Sequence, residues 1–252
     1  MKSIKIGYNH EIIKYYMKIK TGSRDHIKSF AVEGTWAYEK IIQTDIAIEA
    51  IIVCIDHLSN FEEEVFLKLS CKSKIVYEVS SKTMNRINSK DNASILMICK
   101  HNNKNVNPNK VIILDGLENP GNIGTIFRTA DGAGYDAVFI VNQLAKVNQY
   151  KIVKASMGGF FSTPYRIFDS IEDCIKTIKA LNLSLYLAHP GQKSKLSKSS
   201  QVALVVGNER YGLSKQWFRY DHHCISIPML GCCDSLNVGV AASILMYEIG
   251  IQ

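Results

Sequence analysis

The chain has 252 residues, 46% of them hydrophobic and 21% charged, and carries a formal net charge of +7. That balance allows one large globular domain or two modest ones, and no apolar run is long enough to cross a bilayer. The seven cysteines, at positions 54, 71, 99, 174, 224, 232 and 233, include no C-x-x-C pair, so no metal site is expected and a cytoplasmic, reducing location is. In chain order, the opening Met1-Lys2-Ser3-Ile4-Lys5 is followed by no apolar stretch of the secretory kind. Ile12, Ile13, Tyr16 and Ile19 have helical spacing. Phe30-Ala31-Val32-Glu33-Gly34, Ala50 to Cys54, Lys74 to Val79 and Ile95 to Cys99 read as strands, which predicts a small α/β domain over residues 1–100. Residues 101–110 are polar and Asn-rich, contain Pro108, and read as a linker.

From Val111 the alternation is clearer. Val111 to Asp115 is a short apolar strand, followed by a helical pattern through Ile123, Ile126, Phe127 and Ala130. Ala137 to Val141 is the next strand, Val147 to Met157 a helix, Tyr165 to Phe168 a strand and Ile171 to Leu181 a helix. Strands at Leu183 to Leu187, Val202 to Val206 and Cys224 to Pro228 lead to a long closing helix from Leu236 to Ile249. Continuous apolar strands alternating with helices predict a mostly parallel sheet covered on both faces, over residues 111–252. The positive excess sits mainly in the first part: residues 1–110 hold 17 Lys+Arg against 12 Asp+Glu, and residues 111–252 hold 13 against 11. This favours a polyanionic partner, although a solubilising surface would account for it equally well.

Three loops in the second part follow strands and carry candidate chemistry. The first is Asp115-Gly116-Leu117-Glu118-Asn119-Pro120-Gly121-Asn122-Ile123-Gly124. Asn122 stands near the helix start, where Asn also serves as a cap, and Arg128 lies on a helix whose apolar residues force it toward solvent, a partner or an anion. The second is Gly207-Asn208-Glu209-Arg210-Tyr211-Gly212-Leu213-Ser214, where Glu209 could contact a ligand, hold a cation or cap the next helix. The third runs from Ile227 to Gly239; its Ser235 is a candidate N-cap, and Asn237 in a first helical turn calls for a partner for its amide. Ligands in open α/β sheets bind beyond the carboxyl ends of strands, so the three loops could meet at one pocket. The glycines at 116, 121 and 124 lack the dinucleotide-binding spacing, and Asn142-Gln143 supplies no carboxylate for a ribose diol.

The three segments N-P-G-N-I-G-T-I-F-R-T-A, G-N-E-R-Y-G-L-S and I-P-M-x-G-x-x-D-S-L-N-V resemble, in order and spacing, the signature motifs of the SpoU branch of the SPOUT RNA methyltransferases. The resemblance implies a parallel sheet with a deep trefoil knot, a homodimer, S-adenosylmethionine as cofactor, and methyl transfer to a ribose 2′-hydroxyl of RNA. It implies catalytic-site positions at Asn122, Arg128, Glu209, Ser235 and Asn237, and a cofactor pocket around Leu187, Ala188, Val206, Gly207, Ile227, Met229 and Leu236. Asn9, Lys18, Gly22, Ser23, Arg24 and the Phe30 to Gly34 run resemble, more loosely, a ribosomal-protein-like RNA-binding domain with Arg24 as an RNA contact, and the SpoU resemblance implies a further RNA contact at Lys154. Two residues depart from the family pattern: Gly239 stands where many members have Ser, and Lys154 where many have Arg. Lys still meets phosphate but lacks the bidentate fork.

A 2′-hydroxyl is a poor nucleophile until its proton leaves. The resemblance gives the base role to Arg128, yet a guanidinium scarcely deprotonates in a protein. The weaker expectation is that Arg128 binds the phosphate beside the target ribose. The resemblance favours rRNA over tRNA. A non-catalytic RNA-binding assembly protein on the same scaffold, and base methylation of the kind found in another SPOUT branch, are the rival readings.

Overall fold

The computed structural model describes residues 3–22, 29–89, 93–100, 107–190 and 200–250. In chain order its elements are β1 (Ile4–Lys5), α1 (Glu11–Thr21), β2 (Ser29–Glu33), α2 (Thr35–Gln43), β3 (Ala47–Val53), α3 (Asn60–Lys72), β4 (Val76–Glu78), α4 (Ser81–Ile87) and β5 (Ile95–Lys100). These are followed by β6 (Lys110–Asp115), α5 (Pro120–Gly132), β7 (Ala137–Val141), α6 (Tyr150–Ala155), α7 (Gly159–Ser162), β8 (Tyr165–Ile167) and α8 (Ile171–Ala180). β9 (Ser184–Ala188), β10 (Val202–Gly207), β11 (His223–Ile225) and α9 (Val238–Gly250) complete the set. Among the described residues no helix is long and apolar enough to cross a membrane.

The chain forms two compact units, one of Met1–Asn103 with Asn148–Phe161, the other of Lys104–Val147 with Ser162–Gln252. The chain thus re-enters the first unit for α6 and most of α7, an excursion that a division at the linker does not include. In that unit the sheet order is β1-β4-β3-β5-β2. Ile13, Tyr16 and Ile19 of α1 bury against it, as their spacing requires. Glu33 is fully buried but not left unpaired: Tyr16 donates to it, Lys20 Nζ lies 2.5 Å from its carboxylate, and the Ser89 N–H donates at 2.9 Å. A buried carboxylate persists only when paired in this way. The expected helix from Val147 to Met157 is shorter and broken. Left-handed backbone at Met157 (φ 49°) and Gly158 (φ 108°) separates α6 from α7.

The second unit is an all-parallel sheet of order β11-β9-β10-β6-β7-β8. Its central strands β6, β7 and β10 are near-continuously buried, as expected for a parallel sheet covered on both faces, while the short edge strands β8 and β11 are partly exposed. Strand order reverses between β6 and β10, so the loops after these two strands leave from a topological switch point. The passage from β9 to β10, on which the trefoil knot implied by the family resemblance depends, runs through residues 191–199, outside the described residues. The closing helix α9 begins at Val238, two residues later than expected. It is not buried on most sides: Ala242, Leu245, Met246 and Ile249 face inward, while Val240 and Tyr247 are exposed.

Candidate active site

The loops after β6, β10 and β11 converge. The first is short, because Asn119 caps α5 by accepting from the Gly121 N–H at 2.8 Å and Pro120 takes the first helical position, where its missing N–H costs nothing. The cap is therefore Asn119 rather than Asn122, which leaves the Asn122 amide available one turn into the helix. At the second loop, Gly207 is obligatory. A Cβ there would come within 2.3 Å of the Gly212 backbone, which folds back to exchange two 3.0 Å hydrogen bonds with Asn208. Asn208 also donates to the Gly116 carbonyl at 2.7 Å, which fastens the second loop to the first.

A continuous polar chain then joins all three loops. Asn237 caps α9, its Oδ1 accepting from the N–H of Gly239 at 2.9 Å. Its Nδ2 must therefore point away from the helix, and it donates to Asn122 Oδ1 at 3.0 Å. Asn122 Nδ2 in turn donates to Glu209 at 2.9 Å. The Glu209 carboxylate also accepts from the N–H groups of Glu118 and Asn119 at 3.3 and 3.2 Å, so it holds the start of α5 instead of capping a following helix. Partial desolvation pushes the Glu209 carboxyl up. The hydrogen bonds from Asn122 and from the backbone N–H groups of Glu209 itself, Glu118 and Asn119 outweigh this and hold it below the usual Glu value. Ser235, the other cap candidate, is exposed and caps no helix among the described residues; Asn237 caps α9.

Beside this chain lies a cleft of about 660 Å³. Ala188, Val206, Gly207, Ile227, Met229 and Leu236 line it, as do Glu209, Ser235 and Asn237. Leu187 does not. It alternates to the opposite face of β9, is fully buried, and belongs to the core with Val205 and Trp217. Apolar side chains of Leu236, Val238, Ala241, Leu245 and Phe218, strand-end backbone at Val206 and Ile225, and the carboxylates of Glu209 and Asp234 make a lining that fits a cationic nucleoside such as S-adenosylmethionine. Arg128 is exposed on α5 and is not part of the lining; among the described residues it makes no ion pair. Lys154 is exposed on α6 of the first unit, and Arg24 lies outside the described residues.

Sequence reasoning missed several residues of the site. Asp115, 2% exposed at the end of β6, accepts from Asn142 Nδ2 at 2.7 Å, the Ser214 N–H at 2.8 Å, the Ser214 hydroxyl at 3.1 Å and Trp217 Nε1 at 3.1 Å. It ties the far end of the second loop to the sheet. A lone Asp closing an apolar strand was the available signal. His189 and Phe218 line the cleft and meet edge to face at 5.6 Å, with no sequence signal to find them. The departure at Gly239 has a local reason: it is buried, and a Cβ would lie 3.2 Å from the capping Asn237 Oδ1 and 3.5 Å from Thr125.

A parallel sheet with three strand-end loops closing on a nucleoside-sized cleft fits a methyltransferase of the SPOUT type. The sequence profile of the SpoU rRNA Methylase family matches residues 109–247, and the chain belongs to that family. A 23S rRNA (guanosine(2553)-2′-O)-methyltransferase, RlmP, of Bacillus subtilis (strain 168) is 26% identical over 254 residues, 99% of each chain. The AdoMet-bound rRNA methyltransferase of Sinorhizobium meliloti superposes with a TM-score of 0.82 at 26% identity, covering 98% of this chain and 97% of that one. An RNA 2′-O ribose methyltransferase structure superposes at 0.74 and 27% identity, covering 98% of both.

Proposed function

We propose that the chain transfers a methyl group from S-adenosylmethionine to a ribose 2′-hydroxyl of ribosomal RNA. The observation that carries this is the Asn237–Asn122–Glu209 chain at the mouth of the cleft, which joins the three motif loops through hydrogen bonds of 3.0 and 2.9 Å. Bound S-adenosylmethionine supplies a methyl group already activated by its sulfonium. The protein's part is then to align the hydroxyl and assist loss of its proton. Glu209 holds Asn122 and the start of α5 in place, and Asn237 couples them to α9. Arg128, two turns into α5 and clear of the cleft, is free to meet the phosphate beside the target ribose with a charge-assisted fork. Lys154 and Arg24 add phosphate contacts from the first unit, whose sequence carries most of the positive excess.

The working form is a homodimer. Its support is the exposed apolar face of α9, with Val240 at 47% and Tyr247 at 44% exposure and Glu248 the one charged residue of the helix. Sedimentation at micromolar concentration should give twice the chain mass; a monomer would count against it. A cytoplasmic location follows from the substrate. The decisive experiment incubates the full chain with labelled cofactor and unmodified rRNA or tRNA transcripts, then digests the RNA to nucleosides. Label in a 2′-O-methyl nucleoside from rRNA is expected. Label in a methylated base, or in tRNA alone, would overturn the assignment, and cofactor binding without transfer to either RNA would favour the non-catalytic reading.

A further inference from the structure

The tight loop at residues 208–212 is stabilised by groups that do not include the side chain at its tip. Asn208 and Gly212 exchange their two backbone hydrogen bonds, Asn208 Oδ1 accepts from the N–H groups of Arg210 and Tyr211 at 2.8 and 3.1 Å, and Gly212 closes the turn at φ 68°. The Tyr211 ring is 81% exposed and adds nothing to this fold. A large ring held in solvent on a loop already ordered by other groups meets little further ordering cost when it binds. It lines two clefts, the one of about 660 Å³ described above and a second of about 390 Å³ bordered by Gly116, Asn142 and Ser214. Arg210 beside it and Lys215, four residues on, are exposed, and neither pairs with a carboxylate among the described residues.

An exposed aromatic ring with exposed cations before and after it in the chain combines the two features that bind single-stranded nucleic acid, where bases stack on the ring and phosphates meet the charges. A base held in a duplex offers no free face to such a ring. We infer that Tyr211 is a stacking platform for an unpaired base of the substrate RNA next to the target nucleotide, with Arg210 and Lys215 meeting the flanking phosphates. This rests on the reading of the chain as an RNA-modifying enzyme, and it adds a substrate contact at the border that the cofactor cleft shares with the smaller one, distinct from Arg128.

The test uses the full chain without cofactor and a single-stranded 12-nucleotide RNA containing 2-aminopurine. Wild type and Tyr211→Phe should bind alike and quench the fluorophore, because both present an aromatic face. Tyr211→Ala should bind roughly 5- to 100-fold more weakly, the loss of one stacked base, with little quenching. Calorimetry with S-adenosylmethionine and sedimentation should not separate the Ala variant from wild type. Equal RNA affinity in the Ala variant would overturn the inference. So would lost cofactor affinity, which would place the ring against the cofactor, or altered sedimentation, which would place it against a second copy of the chain. The binding arm needs no turnover, so a wild type that binds RNA but transfers no methyl group counts against the enzymatic assignment and leaves the stacking standing.

Discussion

The two sides of the cleft are built differently. The side formed after β10 is cross-linked throughout: Asn208 reaches Gly116, Glu209 reaches Asn122 and the start of α5, and Ser214 and Trp217 reach the buried Asp115. The side formed after β11 is open. Residues 228–236 hydrogen-bond to nothing among the described residues, and Leu230 is 98% exposed. Order returns only at Asn237, where α9 is capped. One side is therefore shaped before any ligand arrives. The other has no such cross-links of its own, so the same cleft joins a braced wall to an unbraced one.

Substitutions can test this contrast, and the largest effect should come from outside both sides. Arg128→Ala should lower single-turnover methyl transfer by about 100-fold or more while cofactor affinity by calorimetry barely changes, since the residue is exposed and off the cleft. Arg128→Lys should recover little, because it keeps charge without the planar fork. Lost cofactor affinity in a folded Ala variant would move Arg128 into the cofactor site. Next comes the fixed side. Gly207→Ala drives a Cβ to 2.3 Å from the Gly212 backbone, where no side chain can give way. It should cost about 1–3 kcal/mol in urea unfolding and weaken cofactor binding as well.

Asn237→Ala removes both the cap of α9 and the donor to Asn122, and should cost about 1 kcal/mol by the same measurement. Glu209 predicts a smaller, pH-dependent effect. Its folded pKa lies below the ordinary Glu value, so its stabilisation is complete above that value and fades as pH falls through the lower folded pKa. The stability gap between wild type and Glu209→Gln should be constant near neutrality and narrow in acid; a gap that widens in acid would contradict the assigned hydrogen bonds. Smallest is Gly231→Ala in the open side, where a new Cβ meets nothing within 4 Å. It should fall within about 0.5 kcal/mol of wild type, and a larger loss would show that this side is already ordered.

What could be read in advance follows the same physics. The strand-ending loops were legible because buried parallel strands are continuous apolar runs, and because Gly207, Gly212 and the Asn and Glu residues of the motifs are types that make tight turns and polar bridges. The start of α9 was misjudged because Ser235 and Asn237 are both good caps, and only the partner at Asn122 decides between them. Leu187 and Ala188 were both assigned to the backbone of the pocket, and of the two only Ala188 lines the cleft; alternation along a strand is visible in sequence, but which face is inward there is not. The helices of the first unit were under-read. Ser59 and Glu62 form a capping box at the start of α3, a pattern present in the sequence and overlooked. The break between α6 and α7 was signalled by Gly158-Gly159. The contacts of Asp115 span up to 102 residues and could not be seen from spacing at all.

The hydrogen bond from Trp217 to Asp115 gives the molecule a built-in optical reporter. The chain has two tryptophans. Trp36 stacks on Phe161 in the first unit, with ring centroids 5.9 Å apart, and Trp217 lies fully buried behind the fixed side of the cleft in the second. Each unit thus carries its own emitter. In a Trp36→Phe background the remaining signal arises from an indole whose N–H is held by a buried carboxylate. Its emission colour and quenching should therefore report the packing of the second loop alone, and comparison with Trp217→Phe would show whether the two units melt as one cooperative body or in turn.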